Sequence, residues 1–149
     1  MSPTANDHEF YMRKALSMAE LGSENGEVPV GAVLVCDGKI ITKAHNQTEL
    51  LHDATAHAEM IAITSACAHF NSKYLKDCVL YVSLEPCPMC AAALYWTQIK
   101  TVVWGAGDEK RGFSLFQPHL LHPATEMVPG VMAEESRLLM KQFFRERRV

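Results

Sequence analysis

Two short segments, Ala56-His57-Ala58-Glu59 and Pro86-Cys87-Pro88-Met89-Cys90, restrict most strongly the shape this chain can take. Each is expected to open a helix, and their chemistry makes sense only if the two helix starts meet. In an ideal helix residues two apart point to nearly opposite sides. His57 and Glu59 therefore cannot both be ligands in the way that residues four apart can. On a first turn, however, one of them can bind a metal beyond the helix end while the other stands beside the metal's open position. Cys87 and Cys90 have the spacing of a helix cap and its third residue, with Pro88 suited to the first helical position. Their sulfurs converge where unpaired N–H groups and the positive end of the helix dipole favour thiolates.

Two thiolates and one imidazole suit Zn²⁺, one ion per chain, and three protein ligands leave a corner for water. A structural site would usually close with a fourth ligand, and the sequence holds no second C-x-x-C. Two thiolates cancel the formal charge of the ion, so bound water is acidified less than by three neutral histidines. A neighbouring base is then required, and Glu59 fits that task. The expected chemistry is removal of a proton from the water by Glu59, attack at an amine-bearing ring carbon, and proton delivery by Glu59 to the ring nitrogen and departing ammonia. H-x-E followed by P-C-x-x-C is the signature of zinc-dependent nucleobase deaminases. The competing readings are a thioredoxin-type motif, which also opens a helix after a strand, and a non-enzymatic zinc module. Both leave His57-Ala-Glu59 unexplained. Met89 is expected to pack, and His8, His45, His52, His69, His119 and His122 to lie on the surface or behind the ligands.

The surrounding pattern supplies strands and helices in alternation. A first helix is predicted over residues 7–21, capped by Asn6 with Glu9 as reciprocal partner and stopped at Gly22. Val30–Val35 and Lys39–Thr42 flank Asp37-Gly38, the preferred tight hairpin connection. Helices follow at 56–68 and from Pro88 to about Thr97, with strands at 79–82 and 101–104. Residues 107–123 are expected to form a loop with at most a short helix. A short strand at 126–128 and a helix over 133–147 complete the chain. Strands alternating with helices predict a mostly parallel sheet covered on both faces. The expected architecture is α/β, a three-layer α/β/α domain whose mixed five-stranded sheet has an antiparallel first hairpin. At 149 residues, one domain over 1–149 accounts for the whole chain.

No stretch approaches the run of about 18 apolar residues that spans a bilayer, and the first residues carry no signal-like pattern. A cytoplasmic chain without membrane contact is the expectation. Five cysteines, an odd number, argue against a disulfide framework. Cys36, Cys67 and Cys78 sit among apolar neighbours and are expected to pack. The net charge of −3 weighs against a nucleic-acid partner. Lys141, Arg145, Arg147 and Arg148 gather at the end, either as a solvated helix terminus or as a local basic surface.

Four stretches carry a family resemblance: residues 26–35 (GEVPVGAVLV), 53–59 (DATAHAE), 80–90 (LYVSLEPCPMC) and 102–108 (VVWGAGD). The terminal KQFFRERR at 141–148 adds to it. The chain resembles the cytidine/deoxycytidylate deaminase superfamily, and within it the bacterial tRNA-specific adenosine deaminases. The resemblance implies a cytidine-deaminase-like fold, zinc, and conversion of the wobble adenosine of a tRNA anticodon loop to inosine. It implies that Asn46 hydrogen-bonds the flipped-out purine, Val30 packs on the base, and the Ala58 N–H donates to the attacked ring. It places Asp108 in a loop touching the anticodon backbone, and Phe143, Phe144 and Arg148 along the nucleic-acid side, with at least one of the two phenylalanines in the core. It also implies a homodimer that could merge two modest basic ends. Ala54 stands where family members often carry proline, and the segment after Lys110 departs from the common Gly-Ser-Leu-rich form. Residues 91–96 (AAALYW) also resemble bacterial guanine deaminase, so a free-base or nucleoside deaminase is the alternative.

Overall fold

A computed structural model describes residues 3–147, so Arg148 lies outside the described residues. The elements in chain order are α1 (Ala5–Glu24), β1 (Gly31–Cys36), β2 (Lys39–His45), α2 (Ala58–Phe70), β3 (Cys78–Leu84), α3 (Pro88–Thr97), β4 (Thr101–Ala106), a 3₁₀ turn (Phe113–Leu115), β5 (Glu126–Val128) and α4 (Ala133–Arg147). The expected element order holds. The loop after β4 holds no more than that single short helix.

The five strands run in the order β2-β1-β3-β4-β5. β1 is antiparallel to both β2 and β3, while β3–β4 and β4–β5 are parallel. Half of the pairings are thus antiparallel, which corrects the expectation of a mostly parallel sheet. The connection through α2 leads from β2 to β3, and these two strands run the same way. They are not neighbours, because β1 lies between them. A hairpin partner inserted inside a crossover must oppose both strands beside it.

Alternation along the strands divides the core in two. Val33, Val35, Val79, Tyr81 and Val103 face α1, through Met12, Ala15 and Leu16, with Leu139 of α4 packed beside them. Ala32, Leu34, Leu80, Val82, Val102 and Trp104 face α2 and α3, through Ala58, Ala62, Ala66, Ala91 and Leu94. The result is the expected α/β/α arrangement. At Gly31 α1 packs tightly on the sheet: a Cβ there would lie 2.0 Å from the Ala15 carbonyl oxygen. On the same face, the Ser136 hydroxyl donates to the Ser83 carbonyl and joins α4 to β3.

α1 departs from its expected ends. Its cap is Thr4, not Asn6, and its partner is Asp7, not Glu9. The Asp7 N–H donates to Thr4 Oγ1 at 3.2 Å and the Thr4 N–H to Asp7 Oδ2 at 2.9 Å. Starting two residues earlier keeps the same reciprocal cap and adds backbone bonds such as His8 N–H to the Thr4 carbonyl. Gly22 is inside the helix, which runs to Glu24. It gives room to His45, whose ring atoms would be 3.2 Å from a Cβ.

Candidate active site

His57 is the N-cap of α2 and Cys87 the N-cap of α3, both with extended backbone, and Pro88 occupies the first turn of α3. The sequence produces the α3 start locally, since an extended cap followed by Pro88 suits the first helical position. The strands then bring the two starts together. β2 ends at His45 and leads through Asn46 towards α2, and β3 ends at Leu84 just before Pro86-Cys87.

His57 Nδ1 lies 3.6 Å from Cys87 Sγ and 3.5 Å from Cys90 Sγ. All three donor atoms lie within 4.8 Å of one another, the one such His/Cys/Asp/Glu group among the described residues. A tetrahedral zinc with bonds of about 2.3 Å to sulfur and 2.0–2.1 Å to nitrogen sets its N···S edges at about 3.6 Å. The donor types and their spacing therefore fit one zinc ion. The hydrogen bond from Cys90, and the neighbouring His57, hold the Cys87 thiol down to about 4, against the cost of burial. The Cys90 thiol is pushed up by the Cys87 sulfur and by burial. His57 is raised, first through its hydrogen bond with Cys87. Protons and metal compete for these three atoms, so metal binding here releases protons.

Glu59 lies in the first turn of α2 and is only 3% exposed. Desolvation pushes its carboxyl up to about 7. Cys90 is among its polar neighbours, so the carboxyl lies close to the donor group.

The Ala58 N–H donates to Asn46 Oδ1 at 2.9 Å, and the Asn46 N–H donates to the Val30 carbonyl at 3.1 Å. Asn46, Ala58 and Val30 are thereby one linked, buried unit next to His57. The Ala58 N–H, expected to face a substrate ring, here serves to fix the Asn46 amide. Asp108 stands in the turn after β4, where Oδ1 accepts the N–H groups of Lys110 and Arg111 at 3.1 and 3.0 Å. Phe143 is buried beneath the Arg147 guanidinium, which lies 3.8 Å from the ring centroid. Phe144 is 45% exposed. One of the pair is in the core, as expected. Cys36 and Cys67 are half-buried and Cys78 is buried, away from the donor triangle, and burial pushes the Cys78 thiol up to about 12.

Two buried carboxylates escaped the sequence reading. Glu27 is 1% exposed and accepts the Glu49 and Leu50 N–H groups at 3.1 and 2.9 Å, pinning the turn that follows Asn46. Glu85, two residues before Cys87, accepts from Asp108 and Ser114. Their partners lie more than 20 residues away, and nothing local distinguishes them from solvated acids. His45 Nδ1 lies 2.7 Å from the Asn46 carbonyl, behind the same unit.

A zinc-fitting His/Cys/Cys triangle on two helix starts, with a buried carboxyl beside it in an α/β/α sandwich, is the site of a zinc-dependent deaminase. The family described as cytidine and deoxycytidylate deaminase zinc-binding region matches residues 5–106. A tRNA-specific adenosine deaminase of Aquifex aeolicus is 46% identical over 147 residues, covering 94% of this chain and 95% of that protein. A solved structure studied for A-to-I editing by tRNA:A34 deaminases has a TM-score of 0.81 at 40% identity, covering 87% of this chain and 98% of the other. A guanine deaminase of Bacillus subtilis has a TM-score of 0.66 at 44% identity but covers 67% of this chain and 64% of its own. The chain belongs to the cytidine and deoxycytidylate deaminase family. Among the described residues no helix is long and apolar enough to cross a membrane.

Proposed function

We propose that this chain hydrolyses adenosine to inosine and ammonia at the wobble position of a tRNA anticodon loop, as a cytoplasmic homodimer. The observation that carries the chemistry is the buried Glu59 carboxyl beside the His57–Cys87–Cys90 triangle. The similarity to tRNA-specific adenosine deaminases along nearly the whole chain supports the substrate. The guanine deaminase match stops at about two thirds of either chain.

When bound by His57, Cys87 and Cys90, zinc with an open fourth position supplies an acidified water. Glu59 would take the first proton from the attacking water and give it to the purine ring nitrogen. It would then take the second from the hydroxyl so added to the ring carbon and give it to the departing amine, which leaves as ammonia. Burial pushes this carboxyl up from the usual carboxylate range, the direction that favours general acid–base work near neutrality. Asn46, its Oδ1 held by Ala58, keeps its amide oriented towards an extruded base, and Val30 packs against the base. Such a base comes from a single-stranded loop that can splay it outward. Asp108 lies on the loop side of the substrate, and Phe144 offers a face for stacking on a loop base.

Homodimer formation is supported by exposed Trp96 (75%) and Phe116 (66%). Trp96 borders a shallow groove of about 250 Å³ with Tyr95, Gln117, His119 and Leu120. Each copy would bring its own C-terminal basic end, which offsets the net charge of −3 where RNA binds.

The test is inosine formation in an anticodon stem-loop RNA, run beside free guanine, cytosine and adenosine. Inosine in the RNA is the expected product. Turnover of free guanine with no inosine in the RNA overturns the reading in favour of a free-base deaminase.

A further inference from the structure

Glu85 directly follows β3 and precedes Pro86-Cys87, and it is 7% exposed. Its side chain reaches the loop after β4. Oε1 accepts the Asp108 N–H at 3.2 Å, and Oε2 accepts the Ser114 N–H at 3.1 Å and the Ser114 hydroxyl at 2.7 Å. The backbone reinforces this tie, with Glu85 N–H donating to the Ala106 carbonyl and Phe113 N–H to the Pro86 carbonyl, each at 2.9 Å. Gly112 closes against the carboxylate, since a Cβ there would lie 2.4 Å from its carbon.

The ion pairs among the described residues are Arg13–Glu9 and Arg137–Glu134. Glu85 is therefore held by the hydrogen-bond donors of one loop and by no cation. Burying a carboxylate this way is a costly means of stability. What it secures is geometry: three donors converge on two oxygens in one loop conformation, and a buried N–H left unpaired is heavily penalised. The loop so held carries Asp108, which in turn accepts the N–H groups of Lys110 and Arg111, both exposed. One buried carboxylate thus sets the shape of a turn with two outward cations, and it is attached to the segment that carries Cys87.

We infer that Glu85 is a positioning residue for the RNA: its hydrogen bonds to Asp108 and Ser114 shape the 107–114 loop so that Lys110 and Arg111 meet the anticodon backbone. This rests on the substrate reading given above. The role predicts a defect in RNA binding, with the proton chemistry and the zinc left intact.

The experiment measures kcat, KM and zinc content with anticodon stem-loop RNA for the wild type, Glu85→Gln and Gly112→Ala. Glutamine turns an NH₂ towards an N–H donor. The alanine methyl displaces the same carboxylate without altering it. Both variants are expected to raise KM about tenfold or more, the loss expected when hydrogen bonds to a charged group are broken. They keep kcat within about threefold and one zinc per chain. The dependence of KM on salt should flatten, because fewer phosphate contacts release fewer counterions; a merely structural defect would not change that slope. If Glu85→Gln does not fold, Gly112→Ala decides by the same criteria. A fall in kcat at unchanged KM, loss of zinc, or wild-type KM in the folded variants overturns the positioning role. A wild type that makes no inosine in the RNA refutes the substrate reading instead.

Discussion

Replacing Glu59 by glutamine keeps the side chain's volume and removes its ability to carry a proton. Proton transfer by a positioned side chain contributes about 10²- to 10⁴-fold. In the proposed mechanism one carboxyl serves both the water and the leaving amine, so the expected fall in kcat lies at the upper end, about 10³-fold or more. Zinc content should stay at one per chain, because the donor triangle consists of His57, Cys87 and Cys90. A second readout follows from burial. The Glu59 carboxyl is pushed from 4.5 up to about 7 by desolvation. In the unfolded chain it loses its proton at the lower value, while the folded chain holds it to the higher one. Folding stability therefore falls as pH rises between the two values and is flat above them, a loss of about 3 kcal/mol for this group. Glutamine has no such loss. In chelator-treated protein, Glu59→Gln should unfold at higher denaturant than the wild type at about pH 8 and at the same denaturant near pH 4. Deamination by the Gln variant at near wild-type kcat refutes the proton role. Loss of zinc in that variant would mean that Glu59 helps to hold the metal and is not free for proton transfer.

Cys87→Ser should drop zinc well below one per chain and abolish activity, while Cys67→Ser keeps both, as read by metal analysis. A full complement of zinc in Cys87→Ser would contradict the donor set. Asn46→Ala leaves the Ala58 N–H without its acceptor, which costs about 1–3 kcal/mol of folding stability and raises KM. Unchanged urea unfolding would show that Asn46 does not secure the start of α2. Gly31→Ala brings a methyl to within 2.0 Å of the Ala15 carbonyl oxygen, so α1 must lift from β1 at about 1–3 kcal/mol. A variant as stable as its parent would contradict that packing.

The zinc donors were legible because their signal is local. A cap-and-third-residue spacing with proline between, and a His two residues before a Glu, set side-chain directions within one turn. The two-residue alternation of strands such as Ala32-Val33-Leu34-Val35 likewise assigned each side chain to a face. The ends of α1 were less legible, since Thr4–Asp7 and Asn6–Glu9 offer overlapping caps of the same kind, and the one that lengthens the helix won.

By itself, then, the sequence determined which atoms can hold the metal, which carboxyl stands beside them, and the order of helices and strands, all set by dihedral and spacing rules over a few residues. Only the tertiary structure decided that β1 inserts antiparallel between β2 and β3, that the Ala58 N–H is taken up by Asn46, and that Glu27 and Glu85 are buried loop anchors. The physical reason is the same for all three. A buried hydrogen-bonding group must find a partner, and the partner is whichever group the fold brings near, however far away it lies in the chain.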